Sequence, residues 1–294
     1  MKRLAIETKR KWVGFTFIIP WVLGFFALYL LPLAESLVYT FNHLVIGDEG
    51  LEMTFIGWYN YQKAFTGDAD FLQTLTGSLS SLFYQVPLIL IFSMIIALLL
   101  NQKFRGRLVA RAVFFVPVII ASGIVISILN GDTASEMLKA GEKSSNIFKV
   151  EMFTQALVEA GLSSDIVTVI TTAANSIFEL SWRSGVQILL FLAGLQSVSP
   201  SLYEAADIDG CTAWEKFWKI TFPILTPILL VNLVYTITDN FTTYTNKTMV
   251  LILNYGQKME FAYSATLAWI YFLVIIIVLG LVYLLIKKRI SYFD

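Results

Sequence analysis

Glu179 and Arg183 stand four residues apart inside one largely apolar run, and Asp239 stands inside another. An ionised side chain at the centre of a membrane helix costs about 2.5–3.5 kcal/mol on insertion scales, so each calls for a partner or a wet cavity. Glu placed before Arg at this spacing is the favourable order for a pair on one helix face. Trp182, Gln187, Tyr235, Asn240 and Tyr244 lie beside these charges. Their rings, amides and hydroxyls suit stacking on a sugar and hydrogen bonding to its hydroxyls. A structural ion pair near the outer interface, flanked by belt aromatics, accounts for the same residues. Both readings stay open on sequence alone.

Other chemistries lack their residues. One histidine, His43, and one cysteine, Cys211, provide neither an intramolecular disulfide nor a metal cluster. No Gly-x-x-x-x-Gly-Lys-Ser/Thr loop occurs, so the chain has nothing with which to cradle nucleotide phosphates. No nucleophile–base constellation is present either, and neither catalysis nor a resident cofactor or metal is expected. A net charge of zero offers no field for nucleic acid.

The elements that position these residues follow from composition. The 294 residues are 57% hydrophobic and only 14% charged, against about 25% charge in an ordinary soluble domain. The apolar residues are gathered into runs long enough to cross a bilayer. Six spans are expected, at 12–39, 75–100, 108–129, 166–195, 222–243 and 263–286, which predicts an all-α polytopic membrane protein forming one domain over 1–294. The first run is longer than a secretory signal's apolar core and is expected to remain as a helix. Prolines 20, 32, 87 and 117 fall within spans and predict kinks.

Most of the 21 Lys and Arg lie before the first span, at 103–111, at 216–219 and after the last span. The positive-inside rule therefore puts both termini and the segment at 199–221 in the cytoplasm. The opposite loops are 42–70, 131–165, with room for a short helix near 148–159, and 246–260. Counting inward at 1.5 Å per residue, Arg183 lies about 18 Å and Asp239 about 24 Å from the inner ends of their spans. Both sit in the outer half. Glycines such as Gly185 and Gly194 suit close helix packing, and the Asn246-Lys247-Thr248 triplet carries no weight as a glycosylation acceptor.

The cytoplasmic segment reads "SLYEAADIDGCTAWEKFWKITFP", from Ser201 to Pro223. Ser201-x-x-Glu204 and Thr212-x-x-Glu215 each fit a capping box. Gly210 between them suits the left-handed residue that ends a helix. Two short helices joined by a tight turn are predicted, the second stopped by Pro223. Leu202, Ala205 and Ala206 would share one face, and Trp214, Phe217 and Trp218 another. Such a segment either folds back on the bundle or docks on a soluble partner.

The same stretch resembles the EAA motif of the membrane subunits of binding-protein-dependent ABC importers, with Glu204, Ala205, Ala206, Gly210, Ile220 and Pro223 in register. Phe222 stands where that pattern has Leu, and Cys211 where it has a small Ala. "FLAGLQSVSPSLYEAADIDG" and "ITFPILTPILL" are similar to the sugar-permease branch. The resemblance implies a type I ABC importer permease in a bacterial or archaeal cytoplasmic membrane. It implies a coupling helix held in a groove of an ATPase subunit, with Glu204, Ala205, Ala206, Asp207, Gly210, Trp214 and Phe217 as the docking residues. It further implies a second, related permease, two ATPase chains that bind ATP and Mg, and an extracytoplasmic solute-binding protein met by loops 42–70 and 131–165. The cargo implied is a carbohydrate, with a glycerol phosphate or an acidic oligosaccharide as the alternative. A self-sufficient secondary transporter would show internally repeated halves, and none is evident.

Overall fold

A computed structural model describes residues 2–47, 50–121, 163–243 and 246–287. The chain divides into two compact units, one comprising Met1–Leu75 and Val250–Val274, the other Thr76–Met249 and Ile275–Asp294.

The first unit opens with α1 (Lys2–Phe25), a π-helical turn at Phe26–Leu30 and α2 (Leu31–Tyr39). Together they supply a run of 25 residues, Phe15–Tyr39, long and apolar enough to cross a membrane. An antiparallel hairpin follows, β1 (Asn42–Gly47) on β2 (Gly50–Phe55), with His43 opposite Thr54 and Val45 opposite Glu52. It is the one sheet among the described residues. Buried Asn60, in the short helix α3 (Tyr59–Gln62), donates to the carbonyls of Thr40 (3.0 Å) and Asn42 (3.3 Å) and so fixes where the hairpin leaves the helix. Tyr61 Oη adds a hydrogen bond to Thr40 Oγ1 at 3.0 Å.

A polar knot closes this unit. Asp68, only 8% exposed, accepts from the Phe71 N–H (2.9 Å), from Tyr255 Oη (2.9 Å) and from Tyr263 Oη (2.8 Å). Lys63 lies 3.9 Å from the centre of the Tyr263 ring and 3.6 Å from Glu260. Burial pushes the Asp68 carboxyl up, but these donors and the Lys63 charge outweigh it and hold the group below its ordinary value. Tyr255 is pushed up to about 12 by burial and by its bond to Asp68.

In the second unit, Ala97 and Leu100 of α4 (Ala69–Asn101) pack with Ile188, Phe191, Leu192 and Leu195 of α7 (Gly185–Ser197) and Leu225 of α10 (Phe222–Thr242). Gly194 permits this approach, since a Cβ there would lie 2.2 Å from Ile228 Cδ1. α5 (Arg107–Ala121) follows a short turn, and its Arg111 donates to the Leu100 carbonyl at 3.0 Å, satisfying an acceptor that the end of α4 leaves free. Asn246 precedes α11 (Lys247–Gln257); its Oδ1 accepts from the N–H groups of Thr248 (2.9 Å) and Met249 (3.3 Å), and its Nδ2 donates to the Asn240 carbonyl (3.2 Å). The Asn246 amide is thus buried and engaged as a helix cap.

Among the described residues, four helices are long and apolar enough to span: Phe15–Tyr39, Ala69–Asn101, Ala213–Thr242 and α12 (Phe261–Ile286). Gly185–Ser197 and Pro200–Ile208 together make a fifth, bent by 64°. The expected spans at 12–39, 75–100, 222–243 and 263–286 are recovered in these helices. The expected third span is α5 as far as Ala121, and residues 122–129 lie outside the described residues, as does the short helix expected at 148–159. The expected fourth span, 166–195, is not one uninterrupted helix. It is α6 (Ser164–Arg183) and α7, parted at Ser184, whose φ of −96° and ψ of 4° leave the helical region. A Ser-Gly pair explains the break: the Ser184 hydroxyl turns back onto the Leu180 carbonyl, and Gly185 resists the helix least in leaving it.

Candidate functional site

The segment at 199–221 folds as a sharp corner. Its first helix, α8 (Pro200–Ile208), starts earlier than the Ser201–Glu204 box implied. Ser199 occupies the cap position with extended backbone, and Pro200 takes the first helical position, where its missing N–H costs nothing. Ser201 is already inside the helix and its hydroxyl meets that of Ser199 at 2.8 Å. The expected box at Ser201 is therefore displaced by the proline just before it.

The other end behaves as expected. Gly210 sits at φ +75°. The Cys211 N–H reaches the Ala206 carbonyl (2.9 Å) and the Gly210 N–H reaches that of Asp207 (3.2 Å), the Schellman pattern. Thr212 then caps α9 (Ala213–Lys216): its Oγ1 accepts from the Glu215 N–H at 3.3 Å, and Glu215 Oε2 accepts from the Thr212 N–H at 2.9 Å. The Thr212 N–H, the Thr212 hydroxyl donating to the same oxygen at 2.9 Å, and Lys219 at 3.3 Å hold the Glu215 carboxyl below its ordinary value. Asp207, expected at the docking surface, pairs across the corner with Lys216 of this same chain.

Pro223 does not stop the second helix. A π-helical turn, Phe217–Thr221, links α9 to α10, and the Phe222 N–H reaches back five residues to the Phe217 carbonyl. The wider turn accommodates the proline ring, and one helix runs from Ala213 to Thr242. The π turn at Phe26–Leu30 precedes Pro32 in the same way.

Exposure separates the docking candidates. Glu204 and Ala205 face outward and Ala206 is buried against the corner. Trp214 is 69% and Trp218 46% exposed, and their rings stand 5.6 Å apart. Half-buried Phe217 lies 5.0 Å from Trp218. The corner thus shows a carboxylate and an aromatic cluster.

Farther along the same helix, Asn232, Tyr235, Thr236, Asp239 and Asn240 recur at three- and four-residue intervals and share a face of α10. The half-buried Arg183 guanidinium is 3.6 Å from Glu179 and donates to Gln85 Oε1 at 3.2 Å. Asn240 Nδ2 donates to the same oxygen at 2.5 Å. Arg183 also attracts the charge of Asp239. Gln187 is fully buried; turned to satisfy both ends of its amide, it donates to the carbonyls of Arg183 (3.0 Å) and Ser184 (3.3 Å), at the break between α6 and α7. Asn232 donates to the Gln187 carbonyl at 3.2 Å.

Glu179, Arg183, Asp239 and Asn240 are therefore brought to one polar cluster, with Gln187 below it at the helix break. Trp182 is half-buried and Tyr235 exposed beside it, and Tyr244 lies outside the described residues. Gln85, the hub, is a residue that reading the sequence passed over. A lone amide in the apolar run of α4 is the signal that marks it. Among the described residues no group of His, Cys, Asp and Glu side chains could hold a metal ion.

Comparison with known proteins bears on both regions. The family described as "Binding-protein-dependent transport system inner membrane component" matches residues 64–292. The chain is 29% identical to the probable ABC transporter permease protein YesP of Bacillus subtilis, over 99% of this chain and 94% of that protein. It is also 29% identical to the arabinooligosaccharides transport system permease protein AraP of Bacillus subtilis, over 79% of this chain and 70% of that protein. Its fold is similar to a chain in the crystal structure of a bacterial ABC transporter involved in the import of the acidic polysaccharide alginate, with a TM-score of 0.66 at 19% identity over 98% of this chain and 100% of that one.

Proposed function

This chain belongs to the family of binding-protein-dependent transport system inner membrane components, and on that premise we propose that it forms half of the pathway of an ATP-driven carbohydrate importer. It is a multi-pass membrane protein with several apolar helices. In this reading both termini and the corner at 199–221 face the cytoplasm. The corner seats in a groove of an ATPase chain, with Glu204 meeting basic side chains and the Trp214–Phe217–Trp218 rings filling an apolar recess. Two ATPases, a second permease and an extracytoplasmic solute-binding protein complete the assembly.

The observation that carries the proposal is the single helix Ala213–Thr242, which bears the corner at one end and the polar face around Asn240 at the other. Closure of the ATPases on ATP would shift that helix as one body and open the path outward; hydrolysis would reverse the shift. The chain itself performs no chemistry, and ATP and Mg belong to the partners. For cargo, an oligosaccharide is supported by the relatives' names and by the amide-rich cluster. Arg183 would suit an anionic cargo, but Glu179, 3.6 Å away, already offsets its charge, which favours a neutral sugar.

The test is co-purification. Glu204→Lys and Gly210→Pro should leave membrane insertion intact and abolish retention of the ATPase chains. If the ATPases stay bound through both changes, the docking assignment fails. Stimulation of ATP hydrolysis in the assembled complex by loaded binding protein then identifies the cargo.

A further inference from the structure

We propose that Tyr203 is a positioning residue for coupling: through Thr221, its hydroxyl ties α8 to the base of α10, so that a push on α8 is delivered to the helix carrying the polar cluster. The proposal rests on the importer reading above. Three observations carry it.

First, a short chain of hydroxyls joins the two helices. Thr221 is 4% exposed, and its hydroxyl lies 3.4 Å from the Lys216 carbonyl, to which it can donate. The Tyr203 and Thr221 hydroxyl oxygens stand 2.9 Å apart, and either can donate to the other. Second, a ring closes. Tyr203 and Asp207 lie four apart on one face of α8; Tyr203 reaches the backbone of Lys216 through Thr221, and Asp207 pairs with the Lys216 ammonium. Third, the ion pair on the other side of this ring stands partly in water. The Asp207 side chain is 63% exposed, and an ion pair in water contributes little and is screened by salt. The hydroxyl pair, with its buried threonine, is the brace that water and salt do not weaken.

The experiment uses the importer purified from cells with its ATPase chains and held in lipid nanodiscs. Cys211→Ser removes the native thiol, and Thr238→Cys places a reporter on an exposed position of α10. The rate of N-ethylmaleimide labelling is measured with and without ATP, Mg2+ and vanadate. With Tyr203 and Thr221 intact, trapped nucleotide changes the rate several-fold. Tyr203→Phe and Thr221→Val each shrink that response about five-fold, the factor lost with one ordinary net hydrogen bond. The double change shrinks it no further, and Thr221→Ser, which keeps the oxygen, restores it. An undiminished response in either single variant overturns the proposal, as does Thr221→Ser behaving like Thr221→Val. A parent reporter indifferent to trapped nucleotide overturns it too. If the ATPases never accompany the parent chain, the importer reading fails instead.

Discussion

Replacing Gly194 by alanine puts the packing of α7 on α10 to a quantitative test. The new Cβ would stand 2.2 Å from Ile228 Cδ1 and 2.8 Å from Leu225 Cδ2. Carbon atoms rest about 3.5–4.0 Å apart, so Ile228 must retreat by more than about an ångström and Leu225 by at least about 0.7 Å. Leu225 is 1% exposed and has little room, whereas Ile228 is partly buried and offers only its terminal atom. Overpacking of this kind costs about 1–3 kcal/mol, offset by about 1 kcal/mol from the better helix propensity of alanine. Ile228→Val removes the Cδ1 atom itself and alone costs about 0.5–1.5 kcal/mol. The two changes together should cost about 1 kcal/mol less than their sum. Reversible unfolding in mixed detergent–SDS micelles, followed by tryptophan fluorescence, measures all three variants. Additivity within about 0.3–0.5 kcal/mol would refute the reasoning, since it would mean that the two side chains do not meet.

Two further outcomes follow from the polar groups. Because the folded state holds the Asp68 carboxyl below its ordinary value, the stability it contributes is complete above the unfolded value near about 3.9 and is lost as pH falls through the lower folded one. The thermal midpoint of the detergent-solubilised protein should therefore drop on acidification below about pH 4, and Asp68→Asn should flatten that drop; an equal drop in the variant would remove Asp68 as its source. Gln85→Leu and Asn240→Leu should show a coupling of about 0.6–1.7 kcal/mol in the unfolding assay, the range of interhelical hydrogen bonds in membranes, and strict additivity would show that the two amides do not pair.

What the sequence disclosed was what is decided locally. Gly210 and the Thr212–Glu215 box were legible because one backbone conformation and two hydrogen bonds within four residues define them. The spans at 75–100 and 263–286 were legible because a bilayer counts residues and ignores partners. The start of α8 was misplaced because Pro200 claims the first helical position ahead of Ser201. The end of α9 was misplaced because a proline ends a helix only if no π turn makes room for it. The hairpin at Asn42–Phe55 carries an alternating, β-branched pattern in part, yet its charges marked it only as loop. The pairings of Gln85 and Asp68 were out of reach for another reason. Asn240 lies 155 residues from Gln85 and Tyr255 187 from Asp68, and no local pattern encodes such pairings.

The π turn at Phe217–Thr221 has a consequence for everything beyond it. Such a turn holds one residue more than an α-helix would use to close the same loop, and each residue advances the screw by about 100°. Asn232, Asp239 and Asn240 point where they do because that surplus residue resets the phase of the helix. Were any one of those five residues deleted and the helix to close up, all of α10 beyond the turn would rotate by roughly a quarter-turn, and an apolar stripe would turn toward Gln85 and Arg183.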